Sequence, residues 1–386
     1  MGLFLEYGYT SFNKFGEELC GDRVSIVKKD DYTTLVLADG LGSGVKANIL
    51  STLTSKILST MVSNNIPMEE CIETIVETLP VCKERGVAYS TFSVIHLNNE
   101  GVGYMFEFDN PQCIFFENGR FKELEREELT ILNKKIYKSE LKLKDQDMIL
   151  VMSDGVPHAG IGKTMNLGWQ RDDIVEYLKE NIKPDMSARC VANILASASK
   201  ALYMNEPGDD TTVAAIKIRE EQCVNIMIGP PVRRDECEQY VEDFLSKEGI
   251  RIVCGGTTSQ IVAEHLHEKV ETELNYVDCD LPPIGYIKGI DLTTEGVLTL
   301  RRLIELSEEY LRTDSDVPKN YLRKDGASLI ANFLFEEATD INFFVGQAVN
   351  EAHSNLPINS TLKFKLVDTL SENLKKMGKR IEIRYY

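Results

Sequence analysis

The sequence lacks the features that mark membrane, secreted and nucleic-acid-binding proteins. No apolar run approaches the ~20 residues that a membrane-spanning helix requires, and the first residues carry no basic segment that would begin a signal peptide. Position 6 is Glu6, where a myristoylation signal requires Ser or Thr. Acidic residues outnumber basic ones by 61 to 43, and the formal net charge of −18 would repel a phosphate backbone. We therefore expect a cytoplasmic protein that binds neither a membrane nor nucleic acid.

The cysteines give no sign of a disulfide framework. They number nine, which is odd, and no two of them form a C-x-x-C pair. Reduced thiols in the cytosol are the simplest interpretation. Hydrophobic residues make up 43% of the chain and charged residues 27%, as in soluble globular proteins. A length of 386 residues predicts two domains.

The pattern of apolar residues changes near residue 222, which predicts an N-terminal domain of residues 1–221 and a C-terminal domain of residues 222–386. In the N-terminal domain, β-branched runs predict strands and helical spacing predicts helices. The predicted order is strand 32–40, helices 45–65 and 68–79, strands within 90–121 forming an antiparallel meander, strand 145–155, helices 171–182 and 187–204, and strand 209–218. Because strands and helices do not alternate regularly, an α+β sandwich of antiparallel sheets is the expected class.

The C-terminal domain begins with a βαβα pattern, which predicts a small parallel α/β unit. Further on, the predicted elements are helices at 292–311, 327–340 and 360–378 and a closing strand at 380–386.

Two short threonine-containing segments of this domain precede predicted helices. Thr257 or Thr258 is expected to cap the first of these helices, and Thr293 or Thr294 the second. The alternative for residues 255–258, Gly-Gly-Thr-Thr, is a site for a small anionic ligand, because backbone N–H groups at a helix start attract anions.

Four acidic motifs lie at or beside the ends of apolar strands in the N-terminal domain. They are GDR (21–23), LVLADGLGSG (35–44), LVMSDGV (150–156) and GDDTTV (208–213). A carboxylate at the end of a strand can project into a shared cleft, where like charges repel unless a cation binds them. Four such motifs in one domain predict a metal site.

In their order and form, these motifs resemble those of the metal-dependent protein phosphatases of the PP2C type. The DG-x-G-x-G form of residues 39–44 is similar to that of the SpoIIE-like bacterial branch, and the resemblance covers roughly residues 1–220. It implies an α-β-β-α sandwich of two antiparallel sheets flanked by helices, followed here by the smaller α/β domain. It also implies hydrolysis of phosphoserine or phosphothreonine on a protein substrate.

The resemblance assigns the metal ligands. Asp22 and Asp39 would hold two Mn²⁺ or Mg²⁺ ions, with Asp39 bridging both, and Gly40 would contribute its backbone carbonyl. Asp154 and Asp209 would complete the coordination, with Asp210 as the second choice to Asp209. These four aspartates are the predicted catalytic set, because a water bound by two cations attacks the phosphorus directly. No cysteine or serine nucleophile and no organic cofactor is then required.

Some roles stay unassigned by this resemblance. Eukaryotic members often carry His where this chain has Leu41, so the proton donor is open. His158, four residues past Asp154, could reach the cleft, but it is interpreted as a loop histidine without a catalytic role. An arginine that grips the phosphate is not identified, since Arg23 is near the site only in sequence.

The SpoIIE-like branch also suggests partners. An anti-sigma-factor antagonist is the expected kind of phosphoprotein substrate. By analogy, the helices at 45–79 would form a homodimer, and the C-terminal domain would have a regulatory role.

Two other motifs and a second function compete with this interpretation. Residues 42–47, GSGVKA, match a dinucleotide-binding pattern, but Asp39 would oppose a pyrophosphate there. Residues 160–164, GIGKT, fail as a P-loop because Pro157 replaces its first glycine. The alternative function is a metal-binding sensor or scaffold with a weak phosphatase domain, whose C-terminal domain binds a small anionic ligand or a partner.

Overall fold

The computed structural model describes residues 2–78, 90–272, 284–312, 325–348 and 359–386. The chain divides into two compact units, Met1–Glu220 and Glu221–Tyr386. The division lies one residue before the predicted domain boundary.

The N-terminal unit is built from two antiparallel sheets and four helices within the described residues. Its strands are β1 (Leu3–Phe12), β2 (Asp22–Lys28), β3 (Tyr32–Gly40), β4 (Ser90–Asn98), β5 (Val102–Phe108), β6 (Ile114–Glu117), β7 (Arg120–Lys122), β8 (Glu127–Ile131), β9 (Lys134–Lys142), β10 (Met148–Met152) and β11 (Thr211–Glu220). Its helices are α1 (Gly44–Val62), α2 (Met68–Thr78), α3 (Arg171–Asn181) and α4 (Ala188–Leu202). One sheet has the order β1-β11-β10-β6-β7 and the other β2-β3-β4-β5-β9-β8.

Three apolar layers hold this unit together. Leu35, Leu37, Ile149 and Ile216 belong to the layer between the two sheets. The outer face of the first sheet packs against α3 and α4, and the outer face of the second packs against α1 and α2. The central strands β3, β10 and β11 are buried on both faces, which explains their largely apolar sequences. The predicted α-β-β-α sandwich is confirmed.

The predicted meander over residues 90–121 is wrong in its second half. β4 and β5 pair as expected, but β6 and β7 join the other sheet, where β6 pairs with β10. The chain leaves β5 through Asp109, which has a left-handed backbone with φ 55°. Pro111 follows two residues later and has no N–H with which to continue a ladder. This turn carries the chain from one sheet to the other.

The C-terminal unit is a mainly parallel sheet with helices on both faces. Its strands are β12 (Cys223–Ile228), β13 (Ile250–Cys254), β14 (Glu271–Thr272), β15 (Gly285–Ile287), β16 (Ile290–Thr294), β17 (Asp340–Val345) and β18 (Arg380–Tyr385). Its helices are α5 (Cys237–Leu245), α6 (Gly256–Leu266), α7 (Val297–Leu311), α8 (Gly326–Ala331) and α9 (Asn359–Lys376). α5 and α6 pack on one face, and α7, α8 and α9 on the other.

The order of the parallel strands is β16-β13-β12-β17-β18, with β14 and β15 added as antiparallel strands beside β16. This arrangement confirms the predicted parallel α/β unit and gives it a doubly wound topology.

Two predicted helices of this unit are shorter than expected. The helix predicted at 292–311 begins at Val297, because residues 290–294 form β16. The helix predicted at 327–340 is α8 followed by a π-helical segment, Asn332–Glu337, and β17 then begins at Asp340. In both places only two residues separate the strand from the helical segment, so the sequence offers a very short signal for the boundary.

The structure also bears on the predictions for membrane helices and for the cysteines. Across the described part of the chain, no helix is long and apolar enough to cross a membrane. The described cysteines are free thiols, whereas Cys82 and Cys279 lie outside the described residues, as does Leu79 at the end of the second predicted helix.

Candidate metal centre

The first two aspartates of the candidate site face each other across a strand pair. Asp22 begins β2 and Asp39 stands one residue before the end of β3, and the antiparallel register places them directly opposite. Gly40 donates its N–H to the carbonyl of Gly21 at 3.1 Å, which closes the end of the ladder. The motifs at 21–23 and 35–44 therefore meet at one end of the β2–β3 strand pair in the second sheet.

Ser153 links this end of the β2–β3 pair to the first sheet. Its hydroxyl donates to Asp22 Oδ2 at 2.7 Å and accepts from the N–H of Thr212 at 2.9 Å. Burial raises the pKa of Asp22 to about 7, although the hydrogen bonds from Ser153 and Thr212 lower it. Asp154 follows Ser153 directly after β10, so the same turn that anchors Asp22 also delivers the third aspartate.

The fourth motif closes the site from the start of β11. Asp210 is buried, and its Oδ1 accepts from the N–H of Lys14 at 3.0 Å. A Cβ on Gly155 would lie 2.1 Å from the carbonyl oxygen of Asp210, so the SDG turn and the DD turn touch backbone to backbone. Asp209 is partly exposed, and one of its carboxylate oxygens lies within 4.8 Å of a carboxylate oxygen of Asp154.

The clustered carboxylates are electrostatically costly. Burial, together with the charges of Asp22, Asp154, Asp209 and Asp210, raises the pKa of Asp39 to about 10. Burial also raises the pKa values of Asp154 and Asp210, and the charge of Asp209 adds to both. Oxygen atoms of Asp22 and Asp210 are buried without a hydrogen-bond partner among the described residues. Each of these effects would be relieved by a bound cation.

One part of this cluster has the geometry of a ligand set. Single ligand atoms of Asp154, His158 and Asp209 all lie within 4.8 Å of one another. Carboxylate oxygens are the ligands that Mg²⁺ and Mn²⁺ prefer. The donor set therefore fits a hard divalent cation.

Residues 29–219 match the family model described as stage II sporulation protein E. The N-terminal unit is a SpoIIE-like domain of the PP2C type. The match covers nearly all of this unit and none of the C-terminal one.

Solved structures are similar to this chain at low identity. The PP2C phosphatase domain of SpoIIE from Bacillus subtilis, with a fragment of its regulatory domain, has 18% identity and a TM-score of 0.48 over 56% of this chain. This chain spans 64% of the length of that structure. The phosphatase domain of the same protein in another crystal form has 18% identity and a TM-score of 0.45, covering 57% of this chain and 94% of that one.

A third structure contains the RsbU and RsbW domains of a Mycobacterium tuberculosis protein. It has 15% identity and a TM-score of 0.44, covering 64% of this chain and 68% of that one. No curated protein matches this chain.

Two residues near the SpoIIE-like centre were not predicted to belong to it. Asp109 stands at the left-handed turn after β5, and its charge contributes to the raised pKa of Asp154. It is a single acid after a strand, without the neighbouring glycine that marked the other motifs. His158, predicted to be a plain loop residue, has Nδ1 3.7 Å from Asp154 Oδ2, half exposed to solvent. Its spacing of four residues from Asp154 was the available signal.

Three further residues adjoin these aspartates in sequence. Arg23 is exposed, and because successive side chains of a strand point to opposite faces, it points away from the side of Asp22. Leu41 is 44% exposed in the loop after β3. Gly40 is buried, and a Cβ there would lie 2.1 Å from the carbonyl oxygen of Ala47 in α1.

Proposed function

We propose that the SpoIIE-like domain hydrolyses phosphoserine or phosphothreonine on a protein substrate. The observation that carries this proposal is the convergence of carboxylates from four separate motifs, on both sheets, at one site where they raise each other's pKa. Such an arrangement is unfavourable for a domain that binds no cation. It is the donor set that metal-assisted phosphate ester hydrolysis requires.

In this proposal the residues have distinct tasks. Asp22 and Asp39 would hold two divalent cations between the ends of β2 and β3, with the Gly40 carbonyl as a further ligand. Asp154 and Asp209, which are partly exposed, would complete the coordination. When bound, Mn²⁺ or Mg²⁺ would supply an activated water and neutralise the charge on the phosphoryl oxygens. Ser153 holds Asp22 in place from the other sheet.

The finer assignments belong to the same proposal. A phosphorylated anti-sigma-factor antagonist is the substrate we propose, by analogy with the SpoIIE-like branch. We assign residues 1–221 to the phosphatase domain and residues 222–386 to a regulatory domain. A cytoplasmic homodimer through α1 and α2 completes the proposal.

Phosphate release from a phosphoserine protein tests the activity. The full chain is assayed with Mn²⁺, with Mg²⁺ and with EDTA, beside Asp39→Asn and the matched control Asp30→Asn. Asp30 is an exposed aspartate of the turn between β2 and β3. We expect release that requires the metal, is lost in Asp39→Asn and is unchanged in Asp30→Asn.

The alternatives give different results in the same assay. Activity that survives both EDTA and Asp39→Asn would contradict the two-metal assignment. If calorimetry shows Mn²⁺ binding that Asp39→Asn abolishes, while the wild type releases no phosphate from any phosphoprotein tested, the sensor or scaffold function is favoured instead.

A further inference from the structure

The C-terminal unit has a crevice-forming topology at one edge of its sheet. The parallel strands lie in the order β16-β13-β12-β17-β18. From β12 the chain adds β13 and β16 on one side and then β17 and β18 on the other, and the helices that follow β12 and β17 pack on opposite faces of the sheet. The strand order therefore reverses between β12 and β17. In open α/β sheets, ligands bind beyond the carboxyl ends of the strands at this reversal. Here Gly229 directly follows β12, Gly255 follows β13 and Gly346 follows β17, so backbone rather than side chains lines this edge.

The helix that starts at this edge is not capped, contrary to the sequence-based expectation for Thr257 or Thr258. The residue before α6 is Gly255, with φ 118°, and no side chain of the described residues accepts from the first N–H groups of this helix. By contrast, Glu295 rather than Thr293 or Thr294 caps α7, with Oε2 accepting from the N–H of Leu298 at 3.3 Å. Among these two helix starts, only that of α6 lacks an anionic or polar cap.

A buried hydroxyl lies at the same helix start. Thr258 is 1% exposed, and its Oγ1 has no hydrogen-bond partner among the described residues. This oxygen lies 3.1 Å from the position that a Cβ on Gly255 would occupy, so it faces the backbone where the helix begins. A buried hydroxyl without a partner is unfavourable, and a ligand atom at this helix start would satisfy it.

A buried cation stands nearby on α9. Lys363 is 8% exposed, and its Nζ donates to the carbonyls of Gly346 and, at 3.2 Å, Ala348. In the described part of the chain no carboxylate pairs with it, and burial lowers its pKa to about 8. A buried charge normally has an opposite charge beside it.

Lys363 and the start of α6 are linked through β12. A Cβ on Gly229 would lie 2.8 Å from Lys363 Nζ, so the ammonium group lies against this glycine. The N–H of Gly229 in turn lies 3.5 Å from the carbonyl oxygen of Cys254, the residue before Gly255. The cation and the uncapped helix therefore belong to neighbouring loops of one sheet edge.

We propose that this edge of the C-terminal sheet binds the phosphate group of a small phosphate-bearing molecule, between the N–H groups at the start of α6 and the ammonium group of Lys363. The free N–H groups of Gly256, Thr257 and Thr258 donate to phosphate oxygens, as backbone groups at helix starts do in nucleotide-binding folds. Lys363 supplies the positive charge, and the glycines allow the phosphate to approach the backbone. This site is independent of the SpoIIE-like centre.

Titration calorimetry of the full chain with inorganic phosphate tests this site. EDTA is present throughout, so that phosphate is not retained by cations in the N-terminal domain, and chloride keeps the ionic strength constant. Lys363→Met removes the cation, and Lys365→Met removes an exposed lysine of the same helix as the matched control. Gly256→Asp places a carboxylate at the helix start, in a position where a Cβ has no atom within 4 Å.

We expect wild type and Lys365→Met to bind phosphate alike. Lys363→Met should bind at least about tenfold more weakly, as the loss of one charge-assisted hydrogen bond implies. Gly256→Asp should lose binding while keeping its fold, because its carboxylate occupies the place of the phosphate. Amide exchange at residues 256–258 should slow when phosphate is added to the wild type.

Two results would overturn the proposal. One is the absence of phosphate binding to the wild type together with unchanged amide exchange at residues 256–258. The other is wild-type affinity in Gly256→Asp, which would place any bound phosphate elsewhere. Should Lys363→Met fail to fold, Gly256→Asp and the exchange measurement still decide the outcome.

Discussion

The carboxylate cluster predicts that the metal-free protein is destabilised by the charges of its clustered aspartates. Asp22 is 4% exposed, and burial raises its pKa to about 7. In the unfolded chain an aspartate titrates near about 3.9. Between these values the folded state holds a proton that the unfolded state releases, so the free energy of unfolding falls as the pH rises. Replacing Asp22 by Asn should therefore stabilise the fold when no metal is present.

The size of this effect follows from the difference in pKa. At pH 8, ionising a carboxyl whose pKa is about 7 in the fold and about 3.9 when unfolded costs on the order of 4 kcal/mol of stability. The asparagine carries no charge and can still accept the hydrogen bond from Ser153. For a domain of this size, such a change raises the midpoint of thermal unfolding by on the order of 10 °C. At pH 4, where the folded state holds the proton and about half of the unfolded chains do, the difference should fall below about 1 kcal/mol.

Scanning calorimetry of the full chain measures this prediction, in EDTA and in excess Mn²⁺, at pH values from 4 to about 8. Asp30→Asn is the control, because it removes an exposed aspartate with no resolved interaction of its carboxylate. In Mn²⁺ the order of stabilities should reverse, since Asp22→Asn removes a proposed metal ligand and with it the stabilisation by binding. The reasoning is refuted if Asp22→Asn is less stable than wild type at pH 8 in EDTA, or if its gain is the same at pH 4.

Three further predictions concern the surroundings of the site. Ser153→Ala should lower the free energy of unfolding by about 1–3 kcal/mol, because the buried Asp22 carboxylate loses its hydrogen bond. Denaturant unfolding in Mn²⁺ measures this free energy, and an unchanged midpoint would contradict the prediction. Gly155→Ala should cost about 1–3 kcal/mol or prevent folding, since the methyl group meets the Asp210 carbonyl; circular dichroism and soluble yield are the measurements, and a wild-type melting curve would contradict it. Ile49→Asp should convert the proposed homodimer to a monomer, because Ile49 is a 52% exposed apolar residue of α1; light scattering decides, and a dimeric variant would remove α1 from the interface.

The fold of the N-terminal domain was predictable because its strands are buried on both faces. Residues 32–40 and 148–152 are almost continuous apolar runs, and their lengths distinguish them from helices. Which sheet a strand joins was not predictable in the same way. Residues 114–117 look like the next strand of a meander, but their partner β10 lies more than thirty residues further along the chain. Local turn signals do not contain this information.

The helix starts of the C-terminal domain show a second limit. Threonines at 257, 258, 293 and 294 all have the chemistry of a cap, yet none of them caps its helix. Capping requires an extended residue just before the first turn, and β13 instead passes into α6 through Gly255, at a positive φ that disfavours side chains. At α7 the strand continues through Thr294, so the cap moves to Glu295. Residue type alone does not locate the helix start.

The acid–glycine pairs of the site have a physical reason beyond turn formation. Gly40 and Gly155 have no positive φ, so the backbone conformation does not demand glycine at either position. Both are instead places where another segment approaches too closely for a side chain: α1 at Gly40, and the backbone of Asp210 at Gly155. The first contact fixes the loop after Asp39 against its helix, and the second joins the turn of Asp154 to that of Asp209. The glycine beside each of these two carboxylates is therefore what lets a neighbouring segment pack against the turn that carries the carboxylate.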